Sequence, residues 1–222
     1  MKSRVTCFAL CAAVVLTLAP WRAARAAGSS DNKAKAAAAA GAADAKQKPA
    51  ASGEAPLDPM MAEMMKLATP GPMHEFLKQF VGSWKCVTKS WMGPGEPTVS
   101  EGTEADALIL GGRFLQSKFS GNFAGMPFEG MGLLGYNNQK KQFESVWIDD
   151  MGTPVSWSSG AIDAAGKVIT MNSTFQDPIT GKEVPYKMVT TVVDANQHTF
   201  AMIGSKDGND WTQMEIAYTR EK

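Results

Sequence analysis

The sequence predicts an all-β protein: an antiparallel barrel of about ten strands, entered through a short helical segment. Three observations lead there. From Gly82 onward apolar and polar residues alternate with period two. Clusters of Gly, Pro, Asn and Asp interrupt that alternation at intervals of roughly 8–12 residues. The stretch Phe128–Thr153 reads as two alternating runs meeting at the polar turn Asn137-Asn138-Gln139-Lys140, a β-hairpin whose asparagines suit left-handed backbone angles. Antiparallel strands joined by short turns pair as neighbours, and a sheet this long tends to curl and close.

Residues 1–26 are expected to be a secretory signal peptide. Lys2 and Arg4 form a basic start, Val5 to Ala19 an apolar run, and Ala24-Arg25-Ala26 a small-x-small cleavage site. The apolar run falls short of the ~20 residues a membrane span needs, and no second candidate follows. No integral membrane segment is therefore expected after cleavage, and the mature protein should be periplasmic or secreted. Two of the 3 cysteines leave with the signal, so Cys86 stands alone and no intrachain disulfide can form. Cys86 is expected to be a small buried apolar residue on the first strand. The chain is balanced at 22 basic and 22 acidic residues, and losing Lys2, Arg4, Arg22 and Arg25 leaves it mildly acidic, which argues against nucleic acid as a partner.

Residues 27–57 form an Ala/Lys/Pro-rich stretch without aromatic side chains, expected to be a disordered tether. Residues 58–81 are the helical lead-in. Asp58 can cap a helix begun by Pro59, with Met60, Met61, Met64, Met65 and Ala68 on one stripe. Thioethers are soft Cu(I) ligands, but methionine at this spacing is expected to be a flexible packing face. A second helix, Pro72 to Val81, carries Phe76, Leu77 and Phe80 inward, with His74 covering the barrel end. The barrel domain occupies 82–222.

Within the barrel, alternation places Phe143, Ser145, Trp147 and Asp149 on one face of their strand. It likewise groups Arg113, Leu115, Ser117 and Phe119. If both sets face inward, Arg113, Leu115, Phe119, Trp147 and Asp149 become candidate ligand-binding wall residues. An interior Arg113 must be paired, with Asp149 the possible partner, or must meet an anionic ligand, because an unpaired buried charge costs several kcal/mol. Gly130, Gly132 and Gly135 lie within a strand pattern and are expected to let the wall bend or admit a neighbouring ring rather than to cradle phosphate. Asp149-Asp150 and the Asp207, Asn209, Asp210 group read as turn formers rather than calcium ligands, and no metal site is expected.

Gly82-Ser83-Trp84 opens the first strand, and Met214, Ile216, Tyr218 and Arg220 share a face of the last. This resembles lipocalin-like barrels, in which an Arg near the C-terminus covers the Trp of a Gly-x-Trp. The resemblance implies a structural Trp84–Arg220 pair, worth about 0.5–2 kcal/mol. The chain from about Pro59 to Arg220 further resembles the DUF1579 family through ATPGPMHEFL (68 to 77), VGSW (81 to 84), LGGRFL (110 to 115), MPFEGMGLLGY (126 to 136), VWIDDMGT (146 to 153) and MEIAYTR (214 to 220). That resemblance implies a lipocalin- or calycin-like barrel and no assigned activity. Asn137 departs from the Asp that the family commonly carries after Gly-Tyr, which keeps the turn and removes a charge.

His198, next to Asn196 and Gln197, is expected to be a solvated residue at a strand start. No cofactor is expected; the alternative is a haem held by His198, because related nitrobindin-like barrels bind haem through a histidine. The leading functional expectation is noncatalytic binding of a small, largely apolar or amphipathic molecule in the barrel cavity. The alternatives are an enzyme using an internal Arg113/Asp149 pair on a hydrophobic substrate and a protein acting through its surface. The sequence leaves the oligomeric state open.

Overall fold

The structure is a computed structural model that describes residues 58–206 and 209–222, with backbone alone at Lys206. The expected signal peptide (1–26), the tether (27–57) and Asp207-Gly208 of the last turn lie outside the described residues. Helix α1 (Pro59–Ala68) and helix α2 (Pro72–Phe76), continued by a 3-10 turn over Leu77–Phe80, lead into ten strands. The first five are β1 (Gly82–Ser90), β2 (Thr98–Ile109), β3 (Phe114–Phe123), β4 (Met126–Asn137) and β5 (Gln142–Asp149). The others are β6 (Ser156–Ile162), β7 (Val168–Gln176), β8 (Glu183–Asp194), β9 (Gln197–Lys206) and β10 (Asn209–Arg220). Every strand pairs antiparallel with its neighbours in sequence, and β1 pairs with β10, so the sheet closes into a barrel without a free edge.

Closure sets an inside and an outside by strict alternation. On β1 Trp84, Cys86 and Thr88 are buried while Lys85, Val87 and Lys89 are exposed. The same alternation on β5 turns Phe143, Ser145, Trp147 and Asp149 inward, a face that the sequence grouped without fixing its direction. Leu77 and Phe80, at 0% and 4% exposure, fill one end of the barrel. They pack with Leu115, Phe143, Ile169 and Met171 into one core, and Trp84, Cys86, Phe119, Ile216 and Tyr218 form a second. His74 is buried beside this plug, where its Nδ1 accepts the Gly71 N–H at 3.0 Å.

Two expectations about the lead-in and the central hairpin are corrected. Met60, Met61, Met64 and Met65 are exposed at 72, 47, 56 and 54%, so the α1 stripe is not a packing face against the barrel. α1 is instead tied down at its C-terminal end, where Arg113 donates to the Ala68 carbonyl and Asn138 to those of Leu67 and Thr69. In the β4–β5 turn the left-handed residue is Lys141, at φ 54°. Asn137 acts through its side chain, whose Oδ1 accepts the Gln139 and Lys140 N–H groups at 3.0 and 2.9 Å.

Candidate functional site

The plug divides the barrel into a sealed end and an open end. At the sealed end Trp84 and Arg220 are cross-strand partners, and the guanidinium lies over the indole at 4.0 Å. Arg220 Nε donates to the Ala195 carbonyl, and the two terminal nitrogens donate to the carbonyls of Val81 and Gln79. The expected structural pair is therefore present, and it binds the last strand to the plug as well as to the indole.

The five candidate wall residues separate into three places. Phe119, Trp147 and Asp149 come together, because Phe119 pairs with Gly130 and Gly130 with Asp149, while Trp147 pairs with Gly132. The Trp147 ring lies over Gly130 and Gly132, where an added Cβ at Gly130 would fall within it. Its Nε1 donates to Asp149 Oδ2 at 2.9 Å, which fixes the ring and occupies one carboxylate oxygen. Leu115 also faces inward, but it packs against the plug in the other core.

Arg113 corrects the expectation of an interior cation. It lies in the turn before β3, exposed, and donates to the carbonyls of Ala68 and Leu110. Six residues separate it from Phe119, the residue level with Asp149, so about 20 Å of strand stand between Arg113 and Asp149. The internal Arg113/Asp149 pair does not exist, and with it goes the enzyme built on that pair. Alternation failed here because β3 starts at Phe114, and Arg113 already belongs to the turn.

A shallow depression of about 530 Å³ runs across β3, β4 and β5 and is lined mostly by residues that alternate outward, Lys118, Ser120, Glu129, Met131, Ile148 and Asp150, so it belongs to the outer wall and not to the barrel interior. At the open end the inward aromatics are not packed away. Phe123 and Phe128 are half-buried with ring centroids 6.3 Å apart, Phe119 meets Phe128 at 5.8 Å, and Phe175 is 40% exposed.

Sequence reasoning missed a pair of buried carboxyls. Glu104 and Asp106, two apart on β2, share its inner face at 8% and 6% exposure. Burial, and then the neighbouring Asp106, push Glu104 up to about 8. Burial pushes Asp106 up to about 6, against the opposing pull of a Ser117 hydrogen bond, Arg220 and Trp84. The same carboxyls, after burial itself, raise the Cys86 thiol and the Tyr218 phenol, so neither is a nucleophile or base near neutrality.

His198 corrects another expectation, since it is buried at 5% rather than solvated. It stacks on Tyr218 at 4.1 Å and meets the edges of Trp84 at 4.4 Å and Phe80 at 5.2 Å. Burial, then Arg220, lower its pKa to about 4, which holds it neutral. A haem does not fit around this ring, because Tyr218 covers one face and the plug and Trp84 crowd its edges.

Among the described residues no group of three or more His, Cys, Asp or Glu could hold a metal ion. A family model described as a protein of unknown function (DUF1579) matches residues 69–220. The crystal structure of Rv2717c from M. tuberculosis is similar in fold, with a TM-score of 0.52 at 17% identity over 69% of this chain and 100% of that one. A redesigned β-barrel aligns over 66% of this chain and 95% of its own, with a TM-score of 0.36 at 16% identity. No curated protein matches the chain.

Proposed function

The chain belongs to the DUF1579 family of proteins of unknown function, and we propose that it binds a small, largely apolar molecule at the open end of its barrel without catalysing a reaction. The reading rests on the inward aromatics at the open end, where Phe123, Phe128 and Trp147 are half-buried and Phe175 is 40% exposed. Leaving such rings in water forgoes about 25 cal/mol per Å² that a bound apolar group would recover. Trp147, held by Asp149, supplies a fixed face on which a ligand can lie.

A fluorescent amphipathic probe titrated into the full chain tests this. Saturable binding is expected, with Trp147→Ala and Phe128→Ala each weakening it about tenfold. Binding that never saturates, or that ignores both substitutions, would remove the site.

A further inference from the structure

The ligand's chemistry follows from the charges on the inner wall, and this inference rests on the binding reading above. Arg113 is outside, so among the described residues the inward wall offers no free cation to a carboxylate. Arg220, the cation at the sealed end, is spent on three carbonyls and an indole. Every lysine described on the strands of this face, such as Lys85, Lys89 and Lys118, alternates to the outside. The charged groups left inside are acidic: Glu104, Asp106 and, towards the open end, Asp149.

Asp106 carries a direct sign of an absent partner. It is 94% buried, and its Oδ1 has no hydrogen-bond partner. No lysine, arginine or histidine nitrogen of the described residues lies within ion-pair distance of either Asp106 or Glu104. A second orphan, His198 Nδ1, sits in the same core, its ring 4.4 Å from that of Trp84, which is the cross-strand partner of Glu104. Two unpaired buried polar atoms in one region are rare in native proteins and call for an unseen group.

The position of Phe119 sets the order of the groups along the inner face. Going inward along β2 the inner face runs Ser100, Gly102, Glu104, Asp106. An added Cβ at Gly102 or at its cross-strand partner Gly121 would meet the Phe119 ring, which therefore lies over both glycines, on the open-end side of the carboxyls. A ligand entering from the open end meets the Phe128, Trp147 and Phe119 rings first and the carboxyl pair next. We propose that Glu104 and Asp106 form the deep anchor of the site and take the ammonium head of a small amphipathic amine, whose apolar part lies on Phe119 and Trp147. An ammonium offers three donors to Asp106 Oδ1 and its neighbours, and it pairs directly with a buried negative charge that among the described residues only the more distant Arg220 offsets. A divalent metal is the poorer fit, because two carboxyls are short of the six to eight oxygens of calcium and among the described residues no group of three or more His, Cys, Asp or Glu could hold one.

The pair retains a proton at neutral pH, so an ammonium that replaces it must release that proton. The groups facing the pair are Cys86, Tyr218 and Arg220, with Ser117 and Trp84 as neutral partners. Cys86 and Tyr218 stay neutral, which leaves the carboxyls as the source. Calorimetry on the full chain at pH 7, in buffers of different ionisation enthalpy, compares octylammonium with octanol. Octylammonium should bind at least tenfold more tightly, with release approaching one proton, and Glu104→Gln and Asp106→Asn should abolish both the preference and the release. Equal affinity for the two probes without proton release overturns the carboxyl anchor and leaves the apolar site standing. Binding of neither overturns both. The proton count is read on the unaltered chain, so the outcome does not hang on either variant folding.

Discussion

At the scale of single residues the barrel wall is shaped by what glycine leaves out. Gly130 and Gly132 face inward on β4, and the space their side chains would fill holds the Trp147 indole. That is why an aromatic ring can lie flat on a wall already crowded by Phe119 and Phe128. Gly130→Ala forces a methyl into the ring itself, so Trp147 must turn and lose its bond to Asp149. A destabilisation of about 1–3 kcal/mol is expected from such overpacking, together with a red-shifted tryptophan emission as the ring moves toward water. An unchanged urea midpoint and an unchanged spectrum would mean the ring is not seated where it is described. Glycine spacing in the sequence foretold a close approach here, and the partner ring lies on the neighbouring strand at the level that the turn register dictates.

Among the elements, the plug and the last strand hold each other through Arg220. Its guanidinium reaches the carbonyls of Gln79 and Val81 after the 3-10 turn and that of Ala195 between β8 and β9, while covering Trp84. Arg220→Met should lose about 2–4 kcal/mol, since charge-assisted bonds are worth roughly 1.5–3 kcal/mol each when buried and less when partly exposed. Arg220→Lys should recover only a minor part, because an ammonium cannot span three carbonyls with the reach of a planar fork. Full recovery in Arg220→Lys would assign the effect to charge alone. This pairing, the ten strands and the grouping of residues on one face of β5 were legible, because each depends on local alternation and on turns whose residues announce themselves. The inward face of β2 was not. Ala105, Ala107 and Ile109 look like its core side, yet Gly102, Glu104, Asp106 and Leu108 are the residues turned inside. Polarity is a sound guide to burial until a protein buries carboxyls, and then the guide inverts. On β9 the signal was available, since His198 alternates with Phe200 and Met202, but the adjacent turn drew the reading toward solvent.

For the molecule as a whole, buried ionisable groups tie stability to pH, and the signs can be worked out group by group. Glu104 and Asp106 have folded pKa values above their ordinary ones, about 8 and about 6, so the folded state holds protons that the unfolded chain releases near pH 4 to 4.5. Their contribution is complete below that range and is lost as pH rises through 6 and then 8. His198 works in the opposite sense: its pKa is lowered to about 4, so its contribution is complete above about 6.5 and is lost as pH falls through 4. The lowered carboxyls of Glu144, Asp163 and Asp210 also weaken the fold only on the acid side. Asp106 thus loses its contribution by about pH 6 and Glu104 by about pH 8, while His198 gains its own only up to about 6.5, so the balance tilts toward mildly acidic pH. The urea midpoint should be highest near pH 5, fall by an amount on the order of 3 kcal/mol and level off above about pH 8. Glu104→Gln should match the unaltered chain at pH 4, where the carboxyl is already neutral, and exceed it at pH 9, where the carboxylate is charged in a dry interior. A flat profile in the unaltered chain would show that water or a counter-ion reaches the pair freely, and the barrel would then be open down to β2.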